Sequence, residues 1–200
     1  MKVIGITGGI GSGKSRILDE MEASYHARVL KTDEVAHKLQ EPGHSCYDEI
    51  IRTFGKEILD GDGSINRTNL GNLVFSDAGQ LERLNRIVHP AVKQYVREEI
   101  ARARKEGVSI FLLESALLME DHYEELCDEL WYIFVERRIR FSRLKESRPL
   151  SDEKIRQIME KQADEAAYRA YCDVTIDNSG TFEETKRQIE TTIRESDGRE

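Results

Sequence analysis

Short apolar runs alternate with helical patterns along this 200-residue chain, the signature of a sheet flanked by helices on both faces. Five strands are predicted, at Lys2–Thr7, Ala27–Leu30, Val108–Leu113, Glu129–Val135 and Val174–Asp177. The third and fourth are apolar almost throughout (Ile110-Phe111-Leu112-Leu113 and Leu130-Trp131-Tyr132-Ile133-Phe134-Val135), as central parallel strands buried on both faces should be. Between the second and third strands, Asp33–Glu106 reads as helical and is far longer than one crossover helix requires. It is punctuated at Pro42-Gly43, at Asp60-Gly61-Asp62-Gly63 and at His89-Pro90. Pro90 suits the first turn of a helix running to Glu106, and Gly107 suits that helix's C-terminal cap. Thr181-Phe182-Glu183-Glu184 reads as a capping box opening a final amphipathic helix, with a polar tail at Ser196–Glu200 expected to fray.

The first strand runs directly into Gly8-Gly9-Ile10-Gly11-Ser12-Gly13-Lys14-Ser15, the G-x-x-x-x-G-K-[ST] pattern between a buried strand and a helix. Successive backbone N–H groups of such a loop wrap phosphate oxygens, and the following helix presents its positive end to them. Lys14 reaches the β- and γ-phosphates of a nucleoside triphosphate, and the Ser15 hydroxyl ligates Mg²⁺. A dinucleotide fingerprint fails here, because Gly9 and Gly11 are followed by Lys14, and Gly11 and Gly13 by Arg16.

Three further features bear on phosphate chemistry, each with a plainer alternative. Asp33 follows the second strand at the carboxyl end of the sheet, where ligands bind. There it can take the proton of an acceptor hydroxyl, or Thr32 or Asp33 can simply cap a helix at Glu34–Glu41. Glu114 ends the third strand, the Walker B position that holds Mg²⁺ directly or through water; the alternative is a capping or solvent-facing glutamate. Arg137, Arg138, Arg140, Arg143 and Arg148, with Lys145, form a basic run after the fourth strand. Arg140 and Arg143 share a helical face, so one or two of these arginines are expected on phosphate from a mobile lid and the rest at the surface.

Composition narrows the field. The net charge of −8 is against a general nucleic-acid or membrane-surface role. No apolar run approaches the roughly 20 residues of a membrane helix, and no signal peptide precedes the first strand, so a cytoplasmic protein is expected. Cys46, Cys127 and Cys172 are odd in number and show no C-x-x-C, which fits reduced thiols. Asp60–Ser64 begins like a calcium loop but has Ile65 at the sixth position and Gly71 at the twelfth, so it reads as a turn. The five histidines show no metal-ligand spacing. Of them, His89 stands out, either in a substrate region or as a core or capping histidine.

These residues resemble one family, dephospho-CoA kinase, which catalyses the last step of coenzyme A biosynthesis, and the match runs from Ile4 to Asn178. Ile4-Gly5-Ile6-Thr7 followed by the Gly8–Ser15 loop is similar to that family's phosphate loop, and Asp33 falls in its Asp-x-Asp motif. Glu41-Pro42-Gly43, Phe54-Gly55, Ile58-Leu59, Asp62-Gly63 and Arg67 follow its inserted segment in order. Leu84-Asn85-x-Ile87-x-His89-Pro90 is the most distinctive stretch, and Leu117-Leu118-x-Glu120 and Ile176-Asp177-Asn178 complete the series. The departures are Lys31 for the first aspartate of Asp-x-Asp, Ala116 for proline, Met119 for an aromatic, Ser147 for a lid arginine and Ile158 for another.

The resemblance implies a single α/β domain over 1–200 with the P-loop NTPase fold, a five-stranded parallel sheet with helices on both faces. Its core would comprise about 1–32, 107–136 and 172–200, with a helical substrate-binding insertion at about 33–106 and a lid at about 137–171. It implies transfer of the ATP γ-phosphoryl group to the ribose 3′-hydroxyl of dephospho-CoA. Asp33 would orient or deprotonate that hydroxyl, Lys14 and Arg143 would neutralise phosphate charge, and Ser15 would hold Mg²⁺. Gly8, Gly9, Gly11, Ser12, Gly13 and Arg16 would join them around the nucleotide, with Asn178 near its adenine end. Asn85, His89 and Glu114 would serve the acceptor. Another small-molecule P-loop kinase, acting on a nucleoside or nucleoside monophosphate, is the alternative, and oligomeric state is not legible.

Overall fold

The computed structural model describes residues 1–147 and 151–197. Five strands, β1 (Lys2–Thr7), β2 (Arg28–Lys31), β3 (Ile110–Glu114), β4 (Glu129–Phe134) and β5 (Val174–Asp177), form one sheet in the order β2-β3-β1-β4-β5. β1 pairs in parallel with β3 on one side and β4 on the other, and β4 pairs in parallel with β5. β1 and β5 have the expected bounds. β2 begins and ends one residue later than the apolar pattern suggests, and β3 starts at Ile110 rather than Val108, because pairing rather than apolarity sets where a strand ends.

The helices are α1 (Lys14–Tyr25), α2 (Thr32–Leu39), α3 (Tyr47–Phe54), α4 (Arg67–Phe75), α5 (Ala78–Lys105), α6 (Arg137–Ser147), α7 (Asp152–Glu160), α8 (Glu165–Tyr171) and α9 (Phe182–Asp197). α9 carries helix through Asp197 where fraying was expected from Ser196; residues 198–200 lie outside the described ones. The chain divides into two compact units, Leu30–Glu106 and the remainder, Met1–Val29 with Gly107–Glu200.

In the larger unit, alternate residues of the strands (Ile4 and Ile6, Leu112, Trp131 and Ile133, Ile176) meet Ile17, Leu18 and Met21 of α1 and Ile189 of α9 in one buried cluster. Full burial of each such side chain is worth about 1.5–3 kcal/mol. On the opposite face, Tyr168 of α8 stacks on Tyr132 of β4 with ring centroids 4.7 Å apart. Leu118, Cys127 and Leu130 close over Gly5 so tightly that a Cβ there would lie 2.8 Å from Leu130. Burial pushes the thiols of Cys127 and Cys172 up to about 12, which fits unreactive, reduced cysteines.

In the helical unit, α2, α3 and α4 pack on α5. Val88, Val92, Val96, Ile100 and Ala103 make the buried stripe of α5 at helical spacing. That helix corrects the sequence reading: Pro90 lies inside it, not at its first turn. Its real start is Asp77, whose carboxylate accepts from the Gly79 N–H at 2.8 Å. Its end is as expected, with Gly107 at φ 72° just past the last helical residues. The Asp60–Ser64 segment is a turn: Leu59 and Ile65 bridge across it, and Asp62 accepts from the Ser64 N–H at 2.9 Å. The capping box of α9 is also present, with Thr181 N–H and hydroxyl each donating to Glu184 at 2.8 Å.

Candidate active site

The phosphate loop joins β1 to α1 and is held by its carbonyls. Gly8 C=O accepts from Lys14 Nζ at 2.7 Å, Ile10 C=O from Arg140 Nε at 3.0 Å, and Ser12 C=O from Asn178 Nδ2 at 2.8 Å. Carbonyls of alternate residues are therefore spent on side-chain donors. With those carbonyls engaged, the loop's N–H groups, those of Ile10 and Ser12 apart, are the groups that can meet an anion. The first N–H groups of α1 add to these, since a helix provides them with no acceptors. The loop's one large apolar residue, Ile10, packs on a cluster of Leu144, Ile155 and Met159 from α6 and α7.

Gly13 is required twice over. Its φ is 82°, a left-handed conformation that L side chains rarely adopt. A Cβ at this position would also stand 2.5 Å from Asn178 Nδ2. Asn178 is itself buried, and its amide is committed at both ends: Nδ2 to Ser12 C=O, and Oδ1 accepting from Thr185 Oγ1 at 2.9 Å. These bonds add a structural task to the place near the adenine end of ATP that the family resemblance implies for Asn178. Its side chain contributes the shape of the loop, as a strut between the loop and α9.

Lys14 Nζ lies 3.6 Å from a Glu114 carboxylate oxygen, both side chains mostly buried. Glu114 ends β3 directly opposite Ile6 of β1, which brings it to the loop; neither capping nor an outward-facing carboxylate describes it. Ser15 is exposed in the first turn of α1. Arg16, also exposed, lays its guanidinium 3.8 Å from the centre of the Phe182 ring at the start of α9.

The basic run separates into members at the surface and members that reach the loop. Arg138 pairs with Glu136 at 2.8 Å and Arg137 lies 4.0 Å from Glu160, all at the surface. Arg143 donates to the Asn178 carbonyl at 2.9 Å, beside Gly13. Arg140 reaches the loop as well, and a Cβ on Gly9 would collide with its guanidinium. The sequence reading set Arg140 on one face with Arg143 but chose only the latter; the i, i+3 spacing was the available signal. Arg148 lies outside the described residues.

In the helical unit, Asp33 is the second residue of α2 and is exposed. The capping alternative fails, because the helix begins at Thr32, two residues earlier than expected, and its N-cap, Lys31, makes no side-chain cap. Asn85 and His89 stand one turn apart on α5, both half-buried. α2 lies along α5, where Lys38 Nζ donates to the Tyr95 hydroxyl at 3.0 Å.

Comparison with known proteins agrees with this arrangement over nearly the full chain. The sequence profile of the dephospho-CoA kinase family matches residues 2–184. A dephospho-CoA kinase of Carboxydothermus hydrogenoformans is 37% identical over 198 residues, covering 97% of this chain and 94% of the relative. A crystal structure from Thermus thermophilus superposes with a TM-score of 0.81 at 29% identity, covering 97% of each chain. The fold is also that of a dephospho-CoA kinase from Campylobacter jejuni, with a TM-score of 0.73, 23% identity and coverage of 99% and 98%. A five-stranded parallel α/β sheet, a phosphate loop held from three sides and a family profile spanning both units lead to one conclusion: the chain belongs to the dephospho-CoA kinase family.

Proposed function

We propose that the protein transfers the γ-phosphoryl group of ATP to the ribose 3′-hydroxyl of dephospho-CoA, giving coenzyme A and ADP. The observation that carries this reading is the loop whose Gly8, Ile10 and Ser12 carbonyls are taken by side-chain donors, with Lys14 beside Glu114, in a chain of this family. The Ser12 hydroxyl supports a phosphate guest: it is buried and has no hydrogen-bond partner among the described residues. An unsatisfied buried hydroxyl costs about 1–3 kcal/mol, which a bound anion would remove. Lys14, exchanging its Gly8 carbonyl for phosphate oxygens, would neutralise the β- and γ-phosphates, with Arg143 and Arg140 serving from α6.

The donors at the mouth of the loop also fit Mg²⁺. The Ser15 hydroxyl and the Glu114 carboxylate are hard oxygen ligands of the kind it takes. Ser15 would bind the ion, Glu114 directly or through water, and the ion would supply charge neutralisation on the phosphates.

Asp33 is assigned to the acceptor. Its carboxylate is exposed and would accept the hydroxyl proton while orienting the oxygen for in-line attack. Because the phosphoryl transition state is loose, orientation by Asp33 contributes more than its basicity. Asn85 and His89 offer an amide and an imidazole on one face of α5 for the rest of the acceptor. Among the described residues no helix is long and apolar enough to cross a membrane, and we place the activity in the cytoplasm. Purified protein with Mg-ATP and dephospho-CoA should yield ADP and coenzyme A. Turnover with a nucleoside or nucleoside monophosphate, and none with dephospho-CoA, would reject the reading.

A further inference from the structure

Arg140 is in an unusual position for an arginine. Burial disfavours its charged form, and a guanidinium so placed ordinarily has a carboxylate beside it. Among the described residues Arg140 makes no ion pair. The groups around it are Tyr132, Tyr168 and Arg137, and Glu160, Asp164 and Glu165 line the same cavity of about 410 Å³ without pairing with it. Its partners are instead two neutral oxygens: Nε donates to the Ile10 carbonyl, and Nη2 donates to Oε1 of Gln162. The same Gln162 oxygen accepts the Ile10 N–H at 3.1 Å. One carboxamide, on the segment between α7 and α8, thus ties the arginine to the loop.

The choice of amide is the informative part. A carboxylate at this place would hold the guanidinium more strongly, because charge-assisted hydrogen bonds are about twice as strong as neutral ones. It would also cancel the positive charge beside the loop. We propose that Gln162 is a positioning residue that fixes Arg140 on the phosphate loop while leaving its charge uncompensated, and so available to the nucleotide phosphates. This rests on the reading of the loop as an ATP site.

The two functions of Gln162, holding and not neutralising, separate in Gln162→Glu. The variant should be as heat-stable as the parent or more so, yet bind Mg-ATP at least tenfold more weakly when titrated without acceptor. A residue that only braces the structure would move stability and affinity together, so Mg-ATP affinity within twofold of the parent would overturn the proposal. Gln162→Ala and Arg140→Ala, alone and combined, give an independent arm that does not depend on the glutamate variant folding. Loss of the amide should weaken Mg-ATP binding several-fold in the parent and not further in Arg140→Ala, whereas additive losses would show that Gln162 does not act through Arg140. Binding is read without dephospho-CoA, so a protein that binds ATP as expected but fails to phosphorylate that acceptor would refute the proposed function and leave this inference standing.

Discussion

The residues assigned to the phosphoryl donor and those assigned to the acceptor are held in opposite ways. Around the loop, each element is fixed by others: Lys14 by Gly8 and Glu114, Ser12 by Asn178, Asn178 by Thr185 and Arg143. In the helical unit, Asp33 is exposed on the first turn of its helix, and Asn85 and His89 are half-open on theirs. Triphosphate is a compact, highly charged ligand that repays a rigid cradle built in advance. A long, flexible acceptor is better met by side chains that can be reached from solvent. The Arg140–Gln162 pair apart, the contrast implies that stability and activity are coupled at the residues that hold the loop and separable at the acceptor residues.

Asp33→Ala, which removes both the orienting oxygens and the base, tests the separable side and should have the largest effect. Removing a positioned proton acceptor costs about 10²- to 10⁴-fold in kcat, while an exposed substitution leaves stability within about 0.5 kcal/mol. The expected result is a collapse of coenzyme A formation with the parent's Tm and Mg-ATP affinity. Turnover near the parent's rate would remove Asp33 from the chemistry, and a large fall in Tm would show that the acceptor residues are as constrained as the donor ones.

Gly13→Ala tests the coupled side. An alanine held at left-handed φ costs roughly 1–3 kcal/mol, to which its Cβ adds a close approach to Asn178. Relief of that contact would shift the strut on Ser12 C=O, so Tm and Mg-ATP affinity should fall together. A destabilised variant that binds nucleotide as tightly as the parent would break the coupling.

The same contrast governs how much was legible. The phosphate loop is eight consecutive residues, so its chemistry is written in local order, and the α9 capping box is legible for the same reason. Asn178 reaches Ser12 across 166 positions and Arg140 reaches Ile10 across 130. No spacing rule spans such distances, and a run of arginines carries no mark of which one turns inward. The chemical pattern around Gln162 did not give its task, because an isolated glutamine in a polar segment is ordinary until its oxygen is seen between two donors. The start of α5 was misread for another reason. Proline is favoured at the first turn of a helix and disfavoured inside one, and here the buried stripe from Val88 onward, with Asp77 as cap, outweighs that preference.

Pro90 offers a smaller test in the helical unit. Proline inside a helix removes a hydrogen bond to the residue four before it, here Arg86, and crowds that carbonyl. The disturbed turn is the one that carries Asn85 and His89. Pro90→Ala should raise stability by roughly 1–2 kcal/mol, the helical gain less the entropy proline removes from the unfolded chain. If the proline is kept for the direction it imposes on Asn85 and His89, the same variant should raise KM for dephospho-CoA several-fold with KM for ATP unchanged. A stabler protein with unaltered kinetics would leave Pro90 without a role in the acceptor site.

The smallest effect is expected where the donor cradle is most redundantly held. Thr185 ties Asn178 to α9, and the first turn of α9 is set by the Thr181–Glu184 box. The backbone N–H and hydroxyl of Thr181 hold the Glu184 carboxyl below its usual value. A carboxylate with a lowered folded value stabilises the protein above its unfolded value, and that contribution is lost as pH falls through the folded one. Glu184→Ala should therefore show a small loss in Tm near pH 7 that shrinks once the medium falls below the ordinary carboxylate range, about pH 4. Because Arg143, Ser12 and Thr185 still hold Asn178, Mg-ATP affinity at pH 7 should not change. A measurable loss of affinity would mean that the cradle depends on its outermost support.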